Sequence, residues 1–507
     1  MQWSFELADE AATVRLGEDI AAALGRGDAV LLEGDLGAGK STLARAIVRA
    51  IGDDDSLEVP SPTFTLVQTY ETERLTIGHF DLYRLEAPEE LDELGFDDAL
   101  DLGAVLVEWP DRGGNRLPDE AIRITLAIAP GTSLRQATIS VPAAAAGRFS
   151  RSLAARAFLA ENGWGTSRRR HLQGEASARS YERIGEGRRR AVLMNAPRRP
   201  DGPVVPRYGK PYSAVARLAE DVRAFVAVGW TLFEAGFSAP ALFGIDMTDG
   251  FLLLEDLGSD KVVDENGPIA ERYAAAVDCL AALHGRRWPN SVLLPDDTRY
   301  EVPPYDAAAM TIEVELLIDW YAPHRLGRRL DEAAEEEFRR LWRAVFVRLV
   351  AAEDSWVLRD YHSPNLIWLE TRVGAGRVGL IDFQDAVVGP AAYDVASLLQ
   401  DARVTVPPAL EAELFERYCA ARAKAGPFNA TAFAEAYAIM AAQRATKVLG
   451  IFARLDKRDG KPAYLAHMPR VSAYLAKALK HPVLQPLAVW YDTHLPEILA
   501  SGPSGER

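Results

Sequence analysis

Two segments of the sequence combine the residue types and spacing that phosphate chemistry requires. The first, Gly34 to Ser41, fits G-x-x-x-x-G-K-[ST] between a buried strand pattern and a helical one. Glycines let backbone N–H groups turn inward around phosphate oxygens, and a helix N-terminus adds its positive dipole end. We predict a nucleotide site formed by these residues: Gly34, Gly37, Ala38, Gly39, Lys40, Ser41 and Thr42.

The charged end of this site needs a cation, a metal ligand and a carboxylate. We expect Lys40 to reach the β- and γ-phosphates of ATP and the Ser41 hydroxyl to bind Mg²⁺. Glu108, directly after a short apolar run, is the best candidate for the carboxylate that holds the metal or its water, and Asp81 is the second. Either could instead be a solvated carboxylate at a strand end.

A proline-restrained loop, residues 61–65, carries the hydroxyls of Ser61, Thr63 and Thr65. Such a loop could sense the γ-phosphate as a switch, and a plain turn explains it equally well. Arg84 is the one arginine that we consider for assisting hydrolysis from within this segment. We therefore expect ATP hydrolysis that is slow alone and faster with partner proteins.

The second segment holds three polar residues in the order that kinase-like enzymes use. Asp360 and Asn365 fit D-x-x-x-x-N, and Asp382 with its following Phe comes after a strand pattern. Asp360 would orient the attacking hydroxyl and accept its proton. Asn365 and Asp382 would hold Mg²⁺ at the phosphates of ATP. Asp394, further on, is typical of an N-cap that anchors a helix rather than of a catalytic group.

The nucleotide-covering part of this second site is less defined. Residues 174–181 contain one glycine and fit either a phosphate-covering loop or a plain turn. The strand pattern 189–194 ends without the lysine that kinases place there. The phosphate cation is therefore open among three arginines: Arg179, Arg183 and Arg190. Residues 254–258 resemble a hinge between lobes, where Glu255 and Leu257 would meet adenine.

The predicted secondary structure that positions these groups changes along the chain, from alternating strands and helices to mostly helices. Residues 1–141 alternate strand and helix patterns, including two strands that look like a hairpin. Small residues and proline at 142–152 favour a linker. A mixed, strand-rich segment follows, and helical spacing dominates from residue 268 onward apart from a β-like section at 356–383.

This order predicts an α/β P-loop NTPase domain followed by a bilobal, kinase-like α+β domain. We place the first domain at residues 1–145, a linker at 146–152 and the kinase-like domain at 153–507. Within the latter we expect a small mixed lobe at about 153–260 and a helical lobe at about 261–500.

The composition limits the binding partners and the cellular location that we expect. The net charge of −16 argues against broad binding to nucleic acid or anionic membranes. We expect the arginine runs 168–170 and 188–190 to be solvated, and Cys279 and Cys419 to be thiols of a reducing cytoplasm. The sequence has neither a signal-peptide pattern nor a long apolar run, so we expect a cytoplasmic protein without membrane contact.

The motifs of the first segment carry a family resemblance. GDLGAGKST, SPTFTL, HFDLYRL, ELGF and VEWP occur in this order within residues 1–145. Together they resemble the small ATPase subunit (TsaE) of the bacterial system that forms threonylcarbamoyladenosine in tRNA. The resemblance implies an ATPase that works with TsaD- and TsaB-like proteins and meets tRNA indirectly. It also implies that Thr63 and Thr65 lie in a switch loop, and that Asp81 and Glu108 act around metal and water.

The later motifs carry a second resemblance. RDYHSPNLIWL, IDFQDAVVGPAAYDVASLLQDAR and neighbouring segments resemble the aminoglycoside-phosphotransferase-like superfamily over about residues 155–500. Within it the segment is similar to cell-wall amino-sugar kinases (AmgK). That similarity implies phosphorylation of the anomeric hydroxyl of N-acetylmuramate or N-acetylglucosamine in cell-wall recycling. Leu358 stands where the superfamily usually has histidine, which alters the support of the catalytic loop.

Two alternatives to the amino-sugar kinase stay open. The acceptor could be an aminoglycoside, choline or another small alcohol, although an aminoglycoside pocket should be strongly acidic and the segment 457–461 is mixed in charge. The kinase-like half could also be a non-catalytic regulatory module. The complete set of Asp360, Asn365 and Asp382 argues against that second alternative.

Overall fold

The structure, a computed structural model, consists of two compact units. The first unit comprises Met1–Pro197 and Phe243–Asp256, and the second comprises Arg198–Leu242 and Leu257–Arg507. The described residues are 1–129, 131, 134–172, 179–198 and 200–500. Residues 174–178 of the predicted phosphate-covering loop lie outside them.

The N-terminal part of the first unit alternates strands and helices. Its strands are β1 (Gln2–Leu7), β2 (Ala29–Glu33), β3 (Val67–Tyr70), β4 (Ile77–Asp81), β5 (Ala104–Glu108), β6 (Ile122–Ile128) and β7 (Arg135–Ser140). Its helices are α1 (Glu10–Ala23), α2 (Lys40–Gly52), α3 (Glu90–Glu93), α4 (Phe96–Leu102) and α5 (Ala143–Glu161). The predicted alternation is confirmed, and the predicted hairpin is the antiparallel pair β3 and β4.

These seven strands form one sheet in the order β1-β7-β6-β2-β5-β4-β3. Its centre is parallel, because β2 pairs with β5 and β6, and β4 pairs with β5. Ligands of such sheets bind beyond the carboxyl ends of the strands. The register sets Asp81 opposite Glu108, so the two candidate carboxylates end neighbouring strands side by side.

The next part of the chain forms a second sheet. The elements of this part of the chain, not all of which belong to the sheet, are β8 (Arg169–Leu172), β9 (Ser180–Glu186), β10 (Arg189–Asn195), β11 (Val204–Val205), β12 (Lys210–Pro211), α6 (Tyr212–Val215), α7 (Val222–Glu234), β13 (Leu242–Asp246) and β14 (Phe251–Glu255). Strands β13-β14-β10-β9-β8 make a five-stranded sheet in that order. The strands predicted in the mixed segment are confirmed as β9, β10 and β14.

Helix α5 joins the two sheets of the first unit and corrects one prediction. The predicted linker, residues 146–152, lies in the middle of this helix. Alanine has the highest helix propensity, so a run of small residues can be helical as well as flexible. Phe149 packs in the core under the first sheet, and Phe158 and Leu159 pack in the core under the second. A continuous packed helix therefore connects the two sheets.

The arginine run at 168–170 corrects another prediction. Arg169 is 3% exposed and binds Asp19 at 2.7 Å and Glu182 at 2.6 Å. Its two neighbours bind carboxylates on or just after helices α1 and α2: Glu18, Asp53 and Asp55. This run is thus an ionic joint between the first sheet's helices and β8, in which Arg169 is buried and its two neighbours are partly exposed. The run at 188–190 is exposed, as predicted.

The second unit is mainly helical. Its further strands are β15 (Val263–Asp264), β16 (Gly267–Pro268), β17 (Ser291–Leu293), β18 (Arg299–Glu301), β19 (Asp354–Val357), β20 (Leu366–Trp368), β21 (Val378–Leu380) and β22 (Val387–Pro390). Its further helices are α8 (Ala270–His284), α9 (Ala307–Leu316), α10 (Ala322–Leu326), α11 (Glu332–Phe346), α12 (Ala392–Leu399), α13 (Pro408–Ala425), α14 (Ala430–Asp459), α15 (Met468–Ala478), α16 (Gln485–His494) and α17 (Pro496–Ala500). The short pairs β19–β22 and β20–β21 interrupt the helices where the β-like section was predicted.

Neither the cysteines nor the helices contradict the expectations from composition. Cys279 and Cys419 are free thiols, and burial raises the pKa of Cys279 to about 12 and that of Cys419 to about 11. Both therefore stay protonated and unreactive near neutral pH. Across the described ranges, no helix has the length and apolar character needed to cross a membrane.

Candidate functional sites

The loop between β2 and α2 is shaped by glycines in left-handed conformations. Gly34, Gly37 and Gly39 have φ angles of 135°, 81° and 110°, which side chains disfavour. A Cβ on Gly34 would lie 2.3 Å from the carbonyl oxygen of Leu126. Helix α2 begins at Lys40, so the loop leads directly into a helix N-terminus. Backbone N–H groups and the helix dipole can face an anion in this arrangement.

The side chain of Lys40 folds back onto this loop. Its Nζ donates to the carbonyl oxygens of Gly34 at 2.7 Å and Asp35 at 3.0 Å. It also lies 3.7 Å from the centre of the Trp109 ring. Burial lowers the pKa of Lys40 although nearby carboxylates oppose the shift. A phosphate group would supply the negative charge that this buried ammonium favours.

Ser41 and Glu108 meet as predicted. Ser41 Oγ donates to Glu108 Oε2 at 2.8 Å. The other oxygen of Glu108 lies 3.0 Å from Nε2 of His79, a buried residue that the sequence analysis did not assign. His79 and Glu108 sit on β4 and β5, and only the parallel register of those strands brings them together.

Asp81 holds the predicted switch loop. Its Oδ2 accepts hydrogen bonds from Ser61 at 2.6 Å and Thr63 at 2.8 Å, and its Oδ1 accepts from the Tyr83 N–H at 3.1 Å. A γ-phosphate sensor could exchange these bonds, since the hydroxyls already converge on one carboxylate. Thr65 is exposed and does not line the cavity described next.

These groups line one cavity of about 460 Å³. Its wall is made by Leu36, Gly37, Gly39, Lys40, Ser41, Thr42, Ser61, Thr63, Asp81, Tyr83, Glu108, Trp109 and Arg135. Arg135, at the start of β7, was not predicted, because no motif marks it and only the sheet order places it beside the loop. Arg84 instead lies outside this wall, with its guanidinium 4.2 Å from the exposed Phe64 ring.

The second site lies in the second unit, between β19 and β22. The structure brings Asp360, Asn365 and Asp382 together, as the spacing predicted. Asn365 Nδ2 donates to the carbonyl oxygen of Asp360 at 2.9 Å and lies 3.5 Å from Asp382 Oδ2. Asp382 has a φ of 59° and accepts a hydrogen bond from Gln384 at 2.7 Å, which fixes its carboxylate.

Two buried carboxylates hold the catalytic loop from behind. Asp394 accepts the backbone N–H groups of Leu358 at 2.6 Å and Arg359 at 2.9 Å. Asp401 accepts both the N–H and the hydroxyl of Ser363, at 2.8 Å and 2.6 Å. The prediction that Asp394 is an N-cap is wrong, because α12 begins two residues earlier; its prediction as a structural anchor is confirmed. The loop thus has a support although Leu358 replaces the usual histidine.

Beneath this loop lies a buried ionic network. Glu313 is fully buried and binds both Arg359 and, at 3.0 Å, Lys447. Burial opposes ionisation of Glu313, but the charges of Arg359 and Lys447 lower its pKa to about 2. Burial likewise opposes ionisation of Asp360, but Lys447 and the other basic groups around it together outweigh burial, so the pKa of Asp360 lies below its ordinary value. Asp360 is therefore an ionised carboxylate at neutral pH.

Three basic residues beside Asp360 were missed by the sequence analysis. His362 Nδ1 lies 2.7 Å from the carbonyl oxygen of Asp360, and its Nε2 accepts from Arg403. Burial lowers the pKa of His362, and an acceptor Nε2 means that the ring is neutral. Arg444, on α14, is 7% exposed and forms no ion pair with any described carboxylate. Long-range packing alone brings α14 to the loop, so no local motif could reveal it.

The predicted adenine hinge lies at the end of β14. Glu255 closes that strand and Leu257 begins the second unit's long segment; both are half-buried. Arg183 and Arg190, two candidates for the phosphate cation, lie 3.9 Å and 3.4 Å from the carboxylate of Asp256. This pairing gives them a structural partner, and the contacts of Glu255 and Leu257 with a nucleotide stay a prediction.

Mg²⁺ fits both sites as an ion that arrives with its nucleotide. Within the part of the chain that is described, no group of three or more His, Cys, Asp or Glu side chains could hold a metal. The candidate ligands are Ser41 with Glu108 in one site, and Asn365 with Asp382 in the other. Mg²⁺ is usually bound by one or two carboxylates, water and substrate phosphates, which matches these sparse oxygen sets.

The class of protein follows from these two sites. A glycine-rich loop with a lysine at a helix N-terminus belongs to an ATPase, and an Asp–Asn–Asp set between short strands and a helical frame belongs to a phosphotransferase. The glycine-rich loop lies in the first unit and the Asp–Asn–Asp set lies in the second, so the chain combines two ATP-using domains.

Comparison with known proteins gives the families. Residues 7–136 match "Threonylcarbamoyl adenosine biosynthesis protein TsaE", and residues 168–428 match "Phosphotransferase enzyme family" (APH). The chain is 39% identical over 357 residues, 68% of its length, to an N-acetylmuramate/N-acetylglucosamine kinase of Caulobacter vibrioides, of which it covers 97%. It is 42% identical over 122 residues, 24% of its length, to the TsaE protein of Rickettsia felis, of which it covers 71%.

A solved structure, a choline/ethanolamine kinase family protein from Mesorhizobium loti, overlaps 69% of this chain and 99% of its own, at 15% identity and a TM-score of 0.41. The matches to family models and to curated relatives, rather than this structural overlap, identify the families of the chain. The chain belongs to the TsaE family in its N-terminal part and to the APH phosphotransferase family behind it. It is an ATPase fused to an ATP-dependent phosphotransferase that is similar to amino-sugar kinases.

Proposed function

We propose that the chain is bifunctional. Its N-terminal P-loop NTPase domain supports threonylcarbamoyladenosine formation in tRNA, and its C-terminal domain phosphorylates the anomeric hydroxyl of N-acetylmuramate or N-acetylglucosamine in cell-wall recycling. The observation that carries the kinase assignment is the assembly of Asp360, Asn365 and Asp382 in one site. We place the two domains at residues 1–145 and 153–507, joined by α5.

In the kinase site, the sugar hydroxyl attacks the γ-phosphorus of ATP, the bond to the ADP oxygen breaks, and Asp360 receives the hydroxyl proton. An anomeric hydroxyl is more acidic than an ordinary alcohol, so Asp360 mainly orients it in line with the phosphoryl group. Asn365 and Asp382 would hold Mg²⁺, which neutralises charge on the phosphates. Glu255 and Leu257 would bind adenine at the hinge.

The charges around Asp360 support an anionic or neutral acceptor. Arg403 and Arg444 lie near the catalytic loop, and Arg444 has no carboxylate partner in the described structure. An aminoglycoside is a polycation, and placing like charges together costs several kcal/mol. The carboxylate of N-acetylmuramate would instead be attracted to these side chains, so we prefer the amino sugar.

In the first site, the loop backbone and Lys40 would hold the phosphates of ATP, and Ser41 and Glu108 would hold Mg²⁺. Asp81 releases the hydroxyls of the switch loop when a γ-phosphate competes for them, and it acts with Glu108 around the attacking water. Thr65 would contact the γ-phosphate only after the switch loop moves, because this side chain is exposed and does not line the cavity.

The partners follow from the TsaE family. We propose that TsaD- and TsaB-like proteins bind the first domain and raise its ATPase rate, and that tRNA is reached only through them. Arg135 lies on the cavity wall and gives the domain a cation of its own, so a basal rate without partners is expected. The net charge of −16 fits this indirect route to tRNA.

The test of the kinase assignment uses the full chain with Lys40→Ala, so that the first site consumes no ATP. This protein would be incubated with labelled ATP and N-acetylmuramate, N-acetylglucosamine, an aminoglycoside or choline. Phosphorus NMR should show a sugar 1-phosphate in the first two reactions. A 6-phosphate product, or a phosphorylated aminoglycoside or choline without sugar phosphate, would overturn the proposal.

A further inference from the structure

The first unit contains a second cavity, which shares no lining residue with the cavity at the glycine loop. This second cavity has a volume of about 240 Å³ and opens between the α1 and α2 helices on one side and the second sheet on the other. Its polar wall includes Arg74, Arg151, Arg169, His171, Ser180 and Asn195. Side chains alternate along strands, so the residues of β8 and β9 that line it share the sheet face that packs on α5.

The carboxylates of this cavity are already paired. Glu182 binds Arg169 through two hydrogen bonds of 2.6 Å and 2.8 Å. Glu18 binds Arg156 at 3.1 Å and also Arg168. Arg169 is thereby neutralised within the wall, and Glu182 acts on the neighbouring Arg74 only at longer range, without an ion pair.

Two guanidiniums in the wall form no ion pair with any carboxylate among the described residues. Arg74 donates only to backbone carbonyls at the end of α1, the nearest being that of Ala21 at 2.7 Å. Arg151 donates its Nε hydrogen to Asn195 Oδ1 at 2.8 Å and lies 3.7 Å from the centre of the Phe251 ring. Its Nη2 is buried and makes no hydrogen bond within the described structure.

Burial lowers the pKa of both Arg74 and Arg151, which is the expected response of a cation taken out of water without a counter-charge. The carboxylates of Asp246 and Asp249 act on Arg151 only at longer range, without an ion pair. The neutral partners therefore fix the two guanidiniums in place, and the carboxylates that act on them from longer range form no ion pair with either one. An anion that enters the cavity would form such a pair.

We propose that this cavity is a binding site for a small phosphate-bearing anion, held by Arg74 and Arg151. Guanidinium forks match the oxygen geometry of phosphate, and such charge-assisted hydrogen bonds are among the strongest in proteins. Ser180 and the amide of Asn195 offer neutral donors on the same wall. The ligand is either free phosphate or a phosphomonoester small enough for the cavity.

The wall of the cavity includes residues from both proposed domains. Ala50 of α2 lines the cavity, and α2 starts at the lysine of the ATPase loop. Ser180, on the opposite wall, begins β9 directly after the predicted phosphate-covering loop of the kinase. A ligand here would touch elements that carry a phosphate-binding segment of each domain.

The test is a titration of the full chain with inorganic phosphate and, separately, with N-acetylglucosamine 1-phosphate. A non-hydrolysable ATP analogue and Mg²⁺ keep both nucleotide sites filled. Wild-type protein should bind one phosphate in a step that Arg151→Gln weakens at least ~10-fold, because a hydrogen bond to a charged group contributes ~1.5–3 kcal/mol. Arg189→Gln, an exposed arginine outside the cavity, is the matched control and should bind like wild type.

A second variant keeps the test decisive if Arg151→Gln fails to fold. Asn195→Asp places a carboxylate where Arg151 already donates, so the fold should hold and phosphate binding should be lost. Saturable binding of phosphate alone identifies free phosphate as the ligand, and tighter binding of the sugar phosphate that both variants weaken identifies a phosphomonoester. No saturable binding of either, or equal binding by wild type and both variants, would overturn the proposal.

Discussion

The loop from Gly34 to Gly39 and the loop from Arg359 to Asn365 each prepare a phosphate site, but with different groups. The first presents backbone N–H groups. It needs glycines because their positive φ angles, and the close approach at Gly34, disfavour a side chain. The second presents side chains, and buried carboxylates hold its backbone from behind. A backbone site is therefore encoded locally, whereas a side-chain site depends on residues far away in the chain.

The largest expected effect is at the side-chain site. Asp360→Asn should lower kcat of phosphotransfer by ~10²–10⁴-fold, the usual contribution of a general base, and leave the affinity for ATP nearly unchanged. Asp382→Asn should instead weaken nucleotide binding, because its carboxylate faces the metal. Steady-state kinetics with the preferred sugar would separate the two, and an Asp360→Asn enzyme at the wild-type rate would refute the mechanism.

The next effect concerns the support of that site. Glu313→Gln leaves Arg359 and Lys447 as buried cations without their carboxylate, and breaking a buried pair in this way costs ~3–5 kcal/mol. Urea unfolding should show the loss in the second unit. Glu337→Gln, at an exposed position of α11, is the control and should change stability by less than about 0.5 kcal/mol.

The ion pairs of Glu313 also predict how the free energy of unfolding changes with pH. The folded pKa of Glu313, about 2, lies below its ordinary value of 4.5, so the stability that it supplies is complete above pH 4.5 and is lost as the pH falls towards 2. The gap between wild type and Glu313→Gln should thus persist at neutral pH and shrink through that acid window. A gap that grows on acidification would contradict the buried network.

At the backbone site, Lys40→Ala should weaken nucleotide binding by about 10²-fold, because charge-assisted bonds to phosphate contribute ~1.5–3 kcal/mol. Phosphotransfer by the kinase domain should remain, since its site is built from other residues. Titration of a fluorescent ATP analogue and the phosphotransfer assay measure the two effects. The exposed Lys457→Ala serves as the control; loss of phosphotransfer in Lys40→Ala would refute the separation of the sites.

The smallest effect is expected at the ionic joint beside β8. Arg170 is partly exposed and its pairs with Asp53 and Asp55 are on the surface, so Arg170→Gln should cost less than about 1 kcal/mol. Its neighbour Arg169 is buried between Asp19 and Glu182, and Arg169→Gln should cost ~3–5 kcal/mol. Equal melting temperatures for the two variants would show that the joint is not organised as described.

The same contrast explains what could be predicted from the sequence. The strands, α1 and α2, the glycine loop and the Asp360–Asn365–Asp382 set follow from local patterns and motif spacing. Glu313, Arg444 and Lys447 do not, because packing of α9 and α14 brings them to the catalytic loop. Arg135 and His79 likewise reach the first site only through sheet order and register.

Two errors have a common physical cause. The segment 146–152 was predicted as a linker from its small residues, and the run 168–170 was predicted to be solvated from its charge. Both interpretations assumed that no other part of the chain lies against these residues. Helix packing buries the first in α5, and the carboxylates Asp19 and Glu182 neutralise the buried Arg169 of the second.

The central claim is that one chain holds two separate ATP sites. Equilibrium dialysis with a labelled, non-hydrolysable ATP analogue and Mg²⁺ counts them directly. We predict two nucleotides per chain for wild type, one each for Lys40→Ala and Asp382→Asn, and none for the double variant. A single nucleotide per wild-type chain, or loss of both nucleotides in either single variant, would contradict the account.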